Sequence, residues 1–241
     1  ALAFGAHPDD VELCCGGTMV KLGALGYKTG TITLTRAELG TNGNPELRAQ
    51  EFSAAGEIMG LSLTKSLDIP DGDVRLSREN KLKVIREIRK YQPRIIFAPY
   101  WVARHPDHEH GSYLVRDAAY LAGLKKIDTG QEPHRPNKVI YYASRYEFKP
   151  TFIVDISQYH ERKIEAIRAY KSQFFIKKED ENTGEVTYIS RPEFFESIIN
   201  RAKQYGIYIG AQYGEPFLIR ETLKIDDPVA YFGPEFLQSI P

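Results

Sequence analysis

A chain of 241 residues, 42% hydrophobic and 27% charged, is globular by composition and long enough to bury a sizeable core. Its 32 basic and 32 acidic residues cancel, so no net field draws nucleic acid or an anionic membrane, and neither is expected as a partner. No apolar run reaches membrane-spanning length. The only two cysteines, Cys14 and Cys15, are neighbours, which excludes a disulfide framework and Cys-x-x-Cys zinc spacing and fits a reducing cytoplasm. We read them as small buried hydrophobes.

In chain order, Leu2 to Ala6 reads as a buried strand that runs into His7-Pro8-Asp9-Asp10-Val11-Glu12 and then Cys14-Cys15-Gly16-Gly17. Met19 to Leu25 is the core of a first helix closed by Gly26. Thr29 to Thr35 is a β-branched second strand, and 36–44 is a polar Gly/Asn-rich loop, a candidate to meet substrate. Pro45 to Met59 is helical and carries Arg48 and Glu51 one turn apart, whose plain reading is a surface ion pair. Leu63 to Ile69 is a third strand, Pro70 to Asp73 a turn, and Ser77 to Tyr91 an amphipathic helix stopped by Pro93.

Ile95 to Ala98 is the fourth strand. It leads into a second polar cluster, Arg104-His105-Pro106-Asp107-His108-Glu109-His110, which holds half of the chain's six histidines. Gly111 to Gly123 is expected to be helical. The loop 129–136 could fold over the site, with His134 structural. Lys138 to Ala143 and Phe152 to Ile156 read as further strands, and Ser157 caps a long helix to about Phe174. Lys177 to Glu185 reads as a charged loop, Pro192 to about Tyr208 as a last helix, and the tail from Tyr213 as irregular and Pro-rich. The absence of repeats or a linker predicts one domain, 1–241. The β-α alternation predicts an α/β, Rossmann-like, mostly parallel doubly wound sheet with helices on both faces. In the order 3-2-1-4 the two His-Pro-Asp strands are neighbours at the switch point, and the site lies at the C-terminal strand edge.

Imidazoles and carboxylates gathered at one edge form a ligand set for zinc. His7, one of Asp9 and Asp10, and one of His105, His108 and His110 would leave a fourth position for water, as in a catalytic site. Such an ion acidifies water and polarises a carbonyl, the spare carboxylate serves as general base, and a spare imidazole stabilises an oxyanion. Metal-assisted hydrolysis of an amide or ester follows. Spacing alone does not say which aspartate is ligand and which is base.

These motifs, with Arg48-Ala49-Gln50-Glu51, resemble those of the LmbE/PIG-L family of zinc-dependent N-acetylglucosamine deacetylases. The similarity runs over nearly the whole chain. The segments 34–43, 98–101, 124–131, 168–174 and 213–217 resemble the bacillithiol-biosynthesis deacetylases in particular. The resemblance implies that His7, Asp10 and His108 hold one Zn2+ per chain (Fe2+ being the other candidate) and that Asp9 is the general base. It implies that His105 is a protonated electrostatic partner oriented by Asp107, and that Arg48 binds substrate, steadied by Glu51. The implied substrate is a small-molecule sugar conjugate, N-acetylglucosaminyl malate, deacetylated in a homo-oligomer. For the two malate carboxylates our candidates are Arg36 and Arg104. Val102-Ala103 stand where some relatives have an assisting tyrosine, so no residue is assigned that part.

Other readings are a metal-dependent deacetylase of a different N-acetyl sugar conjugate and a non-catalytic metal-binding protein on the same fold. A nucleotide-binding module using Gly16-Gly17 as phosphate loop is disfavoured, because the turn lacks G-x-G-x-x-G and puts two acidic residues where a pyrophosphate would sit. A serine hydrolase is disfavoured by the missing G-x-S-x-G elbow.

Overall fold

The structure is a computed structural model, and it describes residues 1–174 and 184–233. Among the described residues seven strands form: β1 Leu2–Gly5, β2 Gly30–Thr33, β3 Leu63–Ser66, β4 Ile95–Pro99, β5 Lys138–Tyr142, β6 Phe152–Asp155 and β7 Gly214–Leu218, with β1 and β2 buried along their whole length. They make one sheet in the order β3-β2-β1-β4-β5-β7-β6, parallel from β3 to β5, with β7 antiparallel to both of its neighbours. The doubly wound expectation is met, and β1 and β4 are adjacent.

Seven helices are described: α1 Asp10–Ala24, α2 Pro45–Met59, α3 Arg78–Tyr91, α4 Pro106–Leu121, α5 His160–Arg168, α6 Pro192–Ile207 and the short α7 Pro228–Tyr231. Strand side chains alternate between faces. Leu2, Phe4, Ile96 and Ala98 pack with Val84, Ile88, Leu114 and Val115 of α3 and α4. Ala3, Phe97, Tyr142 and Phe217 pack with Val11, Cys15 and Met19 of α1 on the other face. Behind α1, a further layer joins α2, α5 and α6 through Phe52, Met59, Ile167, Phe195 and Ile198. Among the described residues, no helix is long and apolar enough to cross a membrane.

Four expectations are corrected. The tail from Tyr213 is not irregular: Gly214–Leu218 is β7, inserted between β5 and β6. Pro216 is tolerated there because the pairing with β5 involves only Phe217 and Leu218. Ser157 caps no helix reaching Phe174. Its hydroxyl accepts from the backbone of Gln212 and Tyr213, α5 ends at Arg168, and 170–174 are not helical. The loop 129–136 does not cover the C-terminal strand edge. Thr129 and Gln131 are held by Arg89, and His134 Nε2 lies 2.8 Å from the carbonyl of Pro93 at the start of β4, the opposite edge. The helix expected from Gly111 starts at Pro106, so the second histidine cluster forms its first turn. The expectation for Lys177 to Glu185 falls, but for its last two residues, outside the described residues.

Helix α1 is interrupted at Cys15, whose φ of −141° is not helical. The backbone N–H groups of Gly17 and Thr18 are donated to the carboxylate of Glu215 at 3.0 and 2.7 Å, and Lys163 Nζ reaches the same carboxylate at 2.6 Å. A side chain at Gly17 would run into Ile156, 2.7 Å from its Cβ position. Glu215 on β7 therefore pins the helix that begins with Asp10. Replacing Glu215 by Ala strands a buried lysine and two backbone donors, which should cost about 3–5 kcal/mol in a urea unfolding titration. A change under about 1 kcal/mol would contradict this role.

Candidate active site

The exit of β1 is shaped by the turn that follows it. Gly5 has no room for a side chain, because a Cβ would lie 3.0 Å from that of Asp10. Asp10 Oδ2 accepts the backbone N–H of His7 at 2.9 Å, which closes the turn. Asp9 lies in the left-handed region at φ 107°, a sparsely populated conformation for a residue other than glycine. It occupies the N-cap position of α1, yet its carboxylate caps nothing. Instead it accepts a hydrogen bond from Arg48 Nη2 at 2.8 Å, and the same nitrogen donates to the carbonyl of Pro8.

At the exit of β4, Pro106 occupies the first position of α4 and His105 the N-cap. One turn on, His108 Nε2 comes within 3.2 Å of Asp10 Oδ1. His7 Nδ1 is 3.8 Å from Asp10 Oδ2. One ligand atom from each of His7, Asp10 and His108 lies within 4.8 Å of the others, a set that suits a divalent ion. Of the alternatives that spacing left open, Asp10 and His108 are the two that stand with His7 in this group, while His110 is exposed on α4. His7, His105 and Asp107 form a second group at the same spacing, but there His105 is exposed and the carboxylate of Asp107 already accepts from the backbone of Gly72 and Val74.

Charge fits the same reading. Burial works to lower the His7 pKa, but the carboxylates of Asp107, Asp71 and Asp10 outweigh it and raise it to about 10. Burial works to raise Asp10, and His108 and His7 hold it well below the usual carboxylate range. The cluster is thus an excess of carboxylates around two imidazoles, which a cation would neutralise. Asp9 is shifted upward, first by burial and then by Asp10, with Arg48 opposing. Behind it, Glu12 is fully buried, and burial pushes its carboxyl up to about 8, so it is protonated at neutral pH.

Arg48 and Glu51 are not the surface pair of the plain reading. They are 3% and 6% exposed, and their charged groups stand 3.8 Å apart beside Asp9. The arrangement at His105 also differs from expectation. Its Nδ1 accepts the backbone N–H of Asp107 at 3.2 Å, so the main chain of Asp107 orients it, not the carboxylate. Burial and the neighbouring His7 and His108 lower its pKa, which favours a neutral ring with the proton on Nε2. Of the two arginines assigned to an anionic group, Arg104 lines the cavity. Arg36 does not: it is exposed and pairs with Glu46 at 3.2 Å. The neighbouring loop residues Ala37, Leu39, Gly40 and Thr41 do line the cavity, as expected of a substrate loop.

The cavity has a volume of about 890 Å³ and runs from the histidine–aspartate cluster towards Arg145, Tyr188 and α6. Sequence reasoning missed this far end, and it missed Asp71. That carboxylate lies 2.8 Å from His7 Nε2 and accepts from the backbone N–H of Leu39. Its signal was its place, since it follows β3 at the same sheet edge as the two clusters. Cys14 and Cys15 are buried, and burial pushes the Cys14 thiol up to about 12, so neither is a poised nucleophile. Gly16 and Gly17 lie buried inside α1 and the Gly17 N–H is already engaged, which removes the phosphate-loop reading.

The sheet order gathers His7, Asp10 and His108 at the switch point, and comparison with known proteins says to which family such a chain belongs. The family described as PIG-L: GlcNAc-PI de-N-acetylase matches residues 2–119. The diacetylchitobiose deacetylase of Thermococcus kodakarensis is 34% identical over 188 residues, 72% of this chain and 69% of that one. The "Probable N-acetyl-alpha-D-glucosaminyl L-malate deacetylase 2" of Bacillus anthracis is 26% identical, covering 78% of this chain and 91% of that one. Among solved structures, a conserved protein from Thermus thermophilus superposes with a TM-score of 0.84 at 36% identity, covering 93% of this chain and 96% of that one. The chain belongs to the PIG-L/LmbE deacetylase family.

Metal ligands are held by groups behind them as well as by the chain. Replacing Asp71 by Ala should therefore weaken zinc binding by roughly 10–100-fold in a competition titration against a chelating dye. His110→Ala should leave binding unchanged. Equal affinity in the Asp71 variant and the wild type would contradict the role given to that carboxylate.

Proposed function

We propose that this chain is a zinc-dependent amidohydrolase that removes the acetyl group from an N-acetylglucosamine conjugate. The observation that carries the reading is the divergence of two consecutive aspartates: Asp10 joins His7 and His108, while Asp9 stands beside them, held by Arg48. Zinc held by His7, Asp10 and His108 would acidify water and polarise the acetyl carbonyl. Asp9, whose carboxyl is shifted upward by burial, takes the proton from the attacking water and passes it to the departing sugar nitrogen. His105 offers its Nε2–H to the oxyanion as a neutral donor. Arg48 lines the cavity and meets the sugar hydroxyls, with Glu51 beside it, and Asp71 holds the His7 ring.

Our reading of the substrate is N-acetylglucosaminyl malate, giving glucosaminyl malate for bacillithiol synthesis. The relative from Bacillus anthracis supports it, and so does Arg104, a cation at the cavity wall suited to a carboxylate. The 34% identity to a diacetylchitobiose deacetylase favours a second reading, with a neutral second sugar in that place. The proposal takes the chain as one domain acting in the cytoplasm as a homo-oligomer. Fe2+ can replace Zn2+, since both accept such ligands.

Acetate release should be measured from N-acetylglucosaminyl malate, diacetylchitobiose and free N-acetylglucosamine, with and without a chelator. The malate conjugate should be preferred, and activity should vanish with the metal and return with zinc. Asp9→Ala should keep its zinc and lose roughly two to four orders of magnitude in rate. A metal-loaded protein that releases acetate from none of the three, or an Asp9 variant with full activity, would overturn the proposal.

A further inference from the structure

The stretch Tyr170–Gln173 follows α5 outside any helix, carries no proposed metal ligand, and still closes around Arg48. The Tyr170 ring is fully buried, and the Arg48 guanidinium carbon stands 5.2 Å from its centroid. Ser172 donates twice to Glu51, its N–H to one carboxylate oxygen and its hydroxyl to the other, both at 2.7 Å. The Ser172 hydroxyl in turn accepts from Gln173 Nε2 at 2.8 Å. Gln173 Nε2 also donates to the carbonyl of Asn42 at 2.9 Å, in the loop that lines the cavity.

Glu51 would otherwise be the natural partner of Arg48, one turn away on the same helix. With both of its oxygens taken by Ser172, it stops 3.8 Å short of Arg48 Nη1. Among the described residues that nitrogen has no hydrogen-bond partner, although Arg48 is almost fully buried against the cavity. A buried guanidinium nitrogen left without an acceptor is costly unless a ligand supplies one.

We propose that Ser172 is a positioning residue for substrate binding: by engaging Glu51 it keeps Arg48 Nη1 free for an acceptor oxygen of the sugar. The inference deepens the deacetylase reading and rests on it for the ligand's identity. Its geometric part, the restraint of Glu51, stands without that reading. Through Gln173 and Asn42 the same serine ties the 36–44 loop to the arginine it frees.

Two measurements on the zinc-loaded protein test this. In the crystal structure of Ser172→Ala, Glu51 should swing to within hydrogen-bond distance of Arg48 Nη1. With whichever N-acetylglucosaminide the wild type hydrolyses, Ser172→Ala should raise KM about tenfold and leave kcat within about threefold. In a Glu51→Gln background the serine change should add nothing, because it acts through Glu51. Ser172→Gly serves the same purpose if the alanine variant does not fold. A Glu51 that stays where it is, an unchanged KM, or an effect that persists at full size in the Glu51→Gln background would overturn the proposal. If the wild type hydrolyses no N-acetylglucosaminide, the deacetylase reading falls and the position of Glu51 alone decides the serine's role.

Discussion

The site depends on one backbone constraint: two consecutive aspartates must face different partners. Neighbouring residues on a regular strand or helix cannot both reach their tasks here, one beside the histidines and one beside the arginine. The chain solves this by placing Asp9 in the left-handed region, which costs on the order of 1–3 kcal/mol for a residue with a side chain. The surroundings over-determine that conformation. Asp10 closes the turn onto the His7 backbone, Gly5 leaves room for it, and Arg48 binds both the Pro8 carbonyl and the Asp9 carboxylate. Loss of Arg48 would thus remove a support of the strained turn as well as the sugar contact proposed for it.

Everything else brings partners to that turn. The sheet order sets β4 beside β1, so that His105 and His108 arrive from the N-terminus of α4. The turn after β3 brings Asp71 behind His7. Glu215, on the one antiparallel strand, fastens α1 from its far side through the donors that the kink at Cys15 exposes. Strand β7, which has no place in a simple β-α alternation, is therefore an anchor for the helix that starts with Asp10.

That the two histidine clusters would meet was legible because both follow apolar strands, and parallel strands deliver their exits to one edge. The different surroundings of Asp9 and Asp10 were not legible from spacing, since they turn on a single φ angle. The place of Arg36 was not legible, because Ala37 after it takes a positive φ and the arginine pairs with Glu46 outside the cavity lining. The main-chain contact of Asp107 with His105 was not legible because α4 begins five residues earlier than periodicity suggested. On a helix, Asp107 faces the backbone of Gly72 and Val74, and only its N–H serves His105. The Arg48–Glu51 pair read as a surface contact because helical spacing alone carries no information about burial. Its neighbours, Tyr170 and Ser172, lie more than a hundred residues away in sequence.

The central claim is that two remote histidine turns share one ion while Asp9 stands free of it. It is tested most directly by locating zinc through its anomalous scattering in crystals of the protein grown with the metal. The account predicts one peak per chain, about 2.0–2.2 Å from a nitrogen of His7, an oxygen of Asp10 and a nitrogen of His108, with the Asp9 carboxylate outside bonding distance. A peak held by His105 and Asp107, or by Asp9 in place of Asp10, would contradict it.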